Sequence, residues 1–153
     1  MTRRQVLRIL DANLNRSREG LRVCEEIARF VLEDAPLTRA LKKARHALSK
    51  EIGRLPVGVS ELLAARDVAR DVGKGPSPLE SGRTGAWDLF SANIERAKES
   101  LRVLEEASKI LDKDSAARFK ALRFKIYAIE KKSLPKLETL RHHRPRCAQS
   151  RVD

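Results

Sequence analysis

Apolar residues in the first thirty or so positions recur at three- and four-residue steps, at Leu10, Leu14, Leu21, Cys24, Ala28 and Val31, with charged residues between them. That period is the signature of a helix with one buried face, and it predicts a helix over about residues 3–32. Thr2 followed by Gln5 reads as a capping box at its start. Asp34 and Pro36 mark a restart, because proline near the first helical position loses nothing by lacking its N–H. A second helix is expected over about 37–52, stopping at Gly53, with Pro56 and Gly58 beyond it. Ser60 is expected to cap a shorter third helix over about 61–71. The stretch GKGPSPLESGRTG at 73–85 reads as a loop, since Gly, Pro and Ser at that density leave nothing to pack. A long helix over about 86–111, a turn in LDKDSAARF and a last helix over about 115–132 complete the pattern. Pro135 is expected to end that helix, leaving 134–153 as a flexible basic tail and 1–133 as a single helical domain.

The apolar pattern is written twice. DANLNRSREGLRVCEE at 11–26 and SANIERAKESLRVLEE at 91–106 share nine of sixteen residues at an offset of 80. LKKARHAL at 41–48 aligns with FKALRFKI at 119–126 at an offset of 78, pairing Arg45 with Arg123. The internal repeats thus cover about 7–52 and 87–131. Each copy is a helical hairpin with a stripe it cannot bury alone. The expected fold is all-α: two related hairpins docked about a pseudo-twofold axis as a bundle, with an additional middle helix. The same apolar positions would serve either a bundle core or a dimer face, so oligomeric state stays open.

Polar residues are repeated as faithfully as apolar ones. With Asn13 at zero on a helical wheel, Leu10, Leu14, Leu21 and Cys24 fall at roughly 20–100° and Val23, Ile27 and Phe30 at roughly 260–320°. Asn13 lies between these groups and Arg16 falls near 300°, beside Ile27, so an Asn–Arg pair is expected to point into the apolar arc. Asn93 and Arg96 repeat it. Glu19, Arg22 and Glu26, and their counterparts Glu99, Arg102 and Glu106, have spacings suited to side-chain pairing along a helix. Two readings stay open. The polar set is either a structural network fixing hairpin register, or it places Arg16 and Arg96 in one central anion pocket, since the guanidinium fork fits carboxylate and phosphate alike. In the middle segment Arg66, Asp67 and Asp71 precede Gly73 at an expected helix end, where the carboxylates suit Mg²⁺ or a substrate amine.

Charge changes this picture little. The net charge of +12 admits an anionic partner. Residues 132–153 contribute six Lys or Arg against Glu138 and Asp153, so most of the excess is interleaved with acids on the helical body. The few aromatics are scattered, which argues for a solvated surface over a nucleic-acid groove. Two cysteines make no disulfide framework, and Cys24 reads as a small buried hydrophobe in a reducing compartment. No export signal or membrane span is evident, so the cytoplasm is the expected location. Walker, Rossmann and common zinc patterns are absent from the sequence, so there is no motif for zinc, flavin or NAD. His142, His143 and Cys147 sit in the tail, where a metal role looks incidental.

RILDANLNRSREGLRVCEEIARF, RDVARDVG, ANIERAKESLRVLEEASKI and FKALRFKIYAIEKK together resemble the ThiD2 domain that precedes thiamine-phosphate synthase in bacterial fusion proteins, over about residues 7–133. The resemblance implies thiamine synthesis and a phosphorylated hydroxymethylpyrimidine ligand. Phosphorylation of that ligand with ATP and Mg²⁺ follows if the domain stands in for the kinase of that step. Its recurrent polar positions fall here on Asn13, Arg16, Glu19, Arg22, Glu25, Glu26, Arg66, Asp67, Asp71, Gly73, Asn93, Arg96, Glu99, Arg102, Glu105, Glu106, Arg123 and Tyr127. On this resemblance Arg16 and Arg96 would neutralise phosphate, with Arg66 beside them in the substrate site. Asn13 and Asn93 would orient polar substrate atoms, and Asp67 or Asp71 would be catalytic and hold the metal. The chain ends without a (β/α)₈ synthase, so the alternative is an accessory domain that works beside a separate synthase.

Overall fold

The computed structural model describes residues 1–73 and 82–142. It is all-α, with α1 at Arg3–Phe30, α2 at Ala35–Ile52, α3 at Val59–Ala65, α4 at Ala86–Ser108 and α5 at Lys113–His142. Helix α1 begins as its sequence predicts: the Gln5 N–H donates to Thr2 Oγ1 and the Thr2 N–H donates to Gln5 Oε1, at 3.3 and 2.7 Å. Asp34 caps α2 by accepting from the Leu37 N–H at 2.9 Å. Seventy-eight residues on, Asp112 does the same for α5, accepting from the Ser115 N–H at 2.7 Å. The turn into α2 sets Glu33 at φ 49°, and the Asp34 N–H closes it on the Ala28 carbonyl at 2.9 Å.

Helices α1 and α2 form one antiparallel hairpin and α4 and α5 the other; α1 packs on α4 and α2 on α5. Where α1 crosses α4 the chains run antiparallel. Gly20 lies against the Asn93 carbonyl and Ala97, and Cys24 Sγ lies 3.6 Å from the Phe90 carbonyl. The core between the hairpins is Leu10, Leu14, Leu21 and Cys24 with Leu41 and Leu48, meeting Phe90, Ile94, Leu101 and Leu104 with Phe119 and Ile126. Burial pushes the Cys24 thiol pKa far up, which suits its place as a small apolar filler. Among the described residues α3 packs on α1 and on no other helix, through Leu62 and Ala65. It is the element that breaks the repeat.

Three boundaries differ from the sequence reading. Gly58, not Ser60, caps α3: its N–H donates to Glu61 Oε2 at 2.9 Å, and Ser60 is already helical. The third helix stops at Ala65, and Arg66 is extended at φ −63° and ψ 134°, so Asp67 and Asp71 lie on irregular chain. α5 runs straight through Pro135 to His142. An interior proline costs about 3 kcal/mol; burial of Leu137 and the ion pair of Lys136 with Asp34 hold the extension against α2 and offset that cost. The loop expected at 73–85 falls mostly outside the described residues, as do the His142, His143 and Cys147 side chains and the tail beyond 142. Among the described residues no helix is long and apolar enough to cross a membrane.

Candidate functional site

The repeated polar residues separate into two sets. In the first, Glu25 is buried on α1 and takes both Nε (2.8 Å) and Nη2 (3.3 Å) of Arg45 from α2, while Arg22 reaches Glu25 at 3.4 Å and Glu26 at 2.5 Å. Glu105 does the same in the second hairpin. Arg123 donates to it at 2.7 and 3.1 Å, and Arg102 pairs with Glu105 and Glu106 at 2.7 and 2.8 Å. Burial pushes the Glu25 carboxyl up, but the hydrogen bond and charge of Arg45, with the charges of Arg22 and Lys42, outweigh it and leave the pKa below its ordinary value. Arg45 with Glu25 and Arg123 with Glu105 bridge the two helices of each hairpin, while Arg22–Glu26 and Arg102–Glu106 pair along a single helix. Glu25 and Glu105 are the buried carboxylates of that arrangement. Glu19 and Glu99 are exposed.

The second set lines a cavity of about 760 Å³ over the first half of α1. Asn13, Arg16, Arg66, Asp67 and Asp71 all reach it, together with Met1, Gln5, Arg8, Ile9, Asp11, Ala12, Asn15 and Val68. Arg66 grips the nearly buried Asp11 in a two-point ion pair, Nε to Oδ2 and Nη2 to Oδ1, each 2.7 Å. That pair anchors the extended segment after α3 to α1. Asp67 accepts from the Arg70 N–H at 3.1 Å and its other oxygen lies 3.2 Å from Arg70 Nε. The Arg70 N–H, and the positive charges of Arg70, Arg8 and Arg4, hold its carboxyl below the usual range despite some desolvation. Asp71 Oδ1 accepts from the Gly73 N–H at 2.9 Å, which leaves Oδ2 uncommitted among the described residues.

Asn13 is buried and its amide N–H₂ donates to the Ile9 carbonyl at 2.8 Å, leaving the amide oxygen uncommitted among the described residues. Asn93 repeats the bond to the Leu89 carbonyl at 2.8 Å. The expected inward arginine is corrected: Arg16 and Arg96 are both exposed. On the same wheel the buried residues of α1 centre near 50°, on Leu10, Ser17 and Ala28, so a residue near 300° falls just outside. Nor does the cavity over α1 take in both arginines. The cavity lies where α3 and the segment after it cover α1, and neither Asn93 nor Arg96 lines it. Asp11, Arg8 and Asn15 were not singled out in the sequence. The period of α1 put Arg8 and Asn15 on a surface that only the segment after α3 turns into a cavity wall. Among the described residues there is no group of three or more His, Cys, Asp or Glu placed to hold a metal ion.

The ThiD2 family model matches residues 8–132. The chain is 44% identical over 126 residues to the thiamine-phosphate synthase of Synechocystis sp., covering 82% of this chain and 35% of that protein. It is 42% identical over 126 residues to that of Rhodopirellula baltica (82% and 33%) and 43% identical over 124 residues to that of Thermosynechococcus vestitus (80% and 34%). The chain thus spans about a third of the length of these curated relatives. No solved structure matches it. Two helical hairpins with twin buried carboxylates, and a match over most of their length, make this chain a member of the ThiD2 family.

Proposed function

We propose that this chain is a helical accessory module of thiamine synthesis that binds a phosphorylated hydroxymethylpyrimidine in the α1 cavity and works beside a thiamine-phosphate synthase. The carrying observation is that proteins named as that synthase contain the same segment as about a third of their length. The cavity supplies matching chemistry. Arg16 makes no ion pair among the described residues and is available to a phosphate, Val68 offers an apolar face to a ring, and the Asn13 oxygen and Asp71 can accept from a ring amino group. Asn93 and Arg96 are the counterparts in the second hairpin, and a ligand role for them would need a second site.

Phosphate transfer from ATP is the second reading, favoured by the free Asp71 oxygen at the cavity wall. The described residues fit no protein-built Mg²⁺ cage, because both Asp67 oxygens are engaged by Arg70. Such an ion would have to be carried mainly by phosphates, as Mg²⁺ commonly is. Calorimetry with hydroxymethylpyrimidine phosphate, and co-purification with a thiamine-phosphate synthase, test the first reading. R16A should weaken binding about tenfold, the scale of one charge-assisted contact, and R96A should leave it within about twofold. Loss of binding in R96A alone would move the site to the second hairpin. Failure of the wild type to bind either the pyrimidine or a synthase would end the accessory reading. ATP-dependent diphosphate formation that D71N abolishes would put transfer in its place.

We also propose that the two hairpins are related by a pseudo-twofold axis. The support is the recurrence of five contacts at offsets of 78 and 80: the Asp34 and Asp112 caps, the Asn13 and Asn93 bonds, the Arg22–Glu25 and Arg102–Glu105 pairs, the Arg22–Glu26 and Arg102–Glu106 pairs, and the Glu25–Arg45 and Glu105–Arg123 bridges.

A further inference from the structure

We propose that Arg8 is a second anion-binding residue of the α1 cavity, and that the cavity is built for a diphosphate group held between Arg16 and Arg8. This rests on the reading that the α1 cavity is the ligand site. Three guanidinium groups line it, and Arg66 is consumed by Asp11 through both of its paired nitrogens. Arg8 and Arg16 make no hydrogen bond or ion pair among the described residues. Among the described residues they are the cavity's two side-chain cations outside an ion pair.

Their spacing sets what they can hold. Eight residues of helix separate their Cα atoms by about 12 Å along the axis. A single phosphate meets both head groups only if two long side chains fold towards each other. Two phosphoryl groups in a row fill the gap with one guanidinium at each end, the geometry in which charge-assisted bonds to phosphate are strong. A smaller adjoining cavity extends the same direction: Thr2, Arg4, Gln5, Arg8, Asp67 and Arg70 line it, so Arg8 stands at the junction of the two. Arg70 is paired with Asp67, but Arg4 makes no ion pair among the described residues, and the Arg8 end is therefore the more positive one. At the other wall the free Asp71 oxygen repels an anion. The phosphates accordingly lie along α1, with the uncharged body of the ligand towards Val68 and Asp71.

A diphosphate can come from a phosphorylated pyrimidine or from a nucleotide. Calorimetry on the full chain with hydroxymethylpyrimidine phosphate, hydroxymethylpyrimidine diphosphate, ADP and inorganic diphosphate separates the sources. R8A should weaken every diphosphate that binds the wild type by at least about tenfold and the monophosphate by less than about threefold. R8K should recover part of the loss, because a point charge replaces the fork. R16A should weaken both classes. Among the described residues Arg8 makes no hydrogen bond or ion pair, and the charge it lends to Asp67 is backed by that of Arg70, so R8A should melt close to the wild type. Equal effects of R8A on monophosphate and diphosphate, no effect on either, or no binding of any diphosphate to the wild type would each overturn the proposal. Binding of inorganic diphosphate or ADP that depends on Arg8, with no affinity for either pyrimidine, would uphold it and remove the pyrimidine reading instead.

Discussion

Replacing Gly20 by Ala sets two known effects against each other at the crossing of α1 and α4. A Cβ at Gly20 would lie 2.6 Å from the Asn93 carbonyl oxygen, 3.4 Å from the Ala97 nitrogen and 3.5 Å from the Ala97 Cβ. The nearest atom is backbone and cannot rotate away, so the helices must part by several tenths of an ångström. Helix propensity alone favours Ala over Gly in a helix interior by about 1 kcal/mol. Overpacking a well-filled contact costs typically about 1–3 kcal/mol, and backbone resistance puts this site in the upper half of that range. The expected net loss is about 1–2 kcal/mol. For a chain of this size each 1 kcal/mol moves Tm by about 2–4 °C, so G20A should melt roughly 2–8 °C below the wild type. Gly53 is the control. Its φ is −67° and a Cβ there would meet nothing nearer than 3.5 Å, so G53A should melt at or slightly above the wild type. Thermal melts by circular dichroism read both. A G20A protein that melts with or above the wild type would show that α1 and α4 do not approach this closely.

The twin bridges and the end of α5 make two more predictions. E25Q should cost about 2 kcal/mol at neutral pH, since it removes the charge from a buried hydrogen-bonded carboxylate while leaving Arg45 in place, and under the pseudo-twofold E105Q should cost about the same. Because the folded Glu25 pKa is depressed, its contribution is complete above the unfolded value of about 4.3 and is lost as pH falls through the folded value. Urea midpoints from pH 7 down to pH 3 should therefore fall less steeply for E25Q below about pH 4.5 than for the wild type, and matching slopes would refute the assignment. L137A should cost about 2–4 kcal/mol, as for a well-packed leucine, although it lies beyond Pro135; a melt within a degree of wild type would mean that the last turns of α5 are not packed.

The four long helices, the cap at Thr2, the restart at Asp34 and the duplication were legible in the chain because each is local. A period of 3.6, a hydroxyl or carboxylate three residues before an N–H, and a constant offset need no knowledge of what packs where. Cys24 falls opposite Leu104 at the offset of 80, which marks it as a core position for the same reason. The direction of the polar residues was not local. An amphipathic stripe fixes a face to within tens of degrees, and only the docking of α2 on α1 and of α5 on α4 brings Arg45 and Arg123 onto the buried Glu25 and Glu105, while Arg16 and Arg96 are left exposed. Pro135 failed as a stop because contacts with Asp34 and the core outweigh a backbone penalty of about 3 kcal/mol. The cavity is wholly a product of tertiary structure: Arg66 crosses 55 residues of chain to reach Asp11, and that ion pair lays Asp67, Val68 and Asp71 beside Arg8 and Arg16. Sequence spacing carries no term for such a meeting, since it depends on where α3 docks and on the extended backbone at Arg66 that follows it.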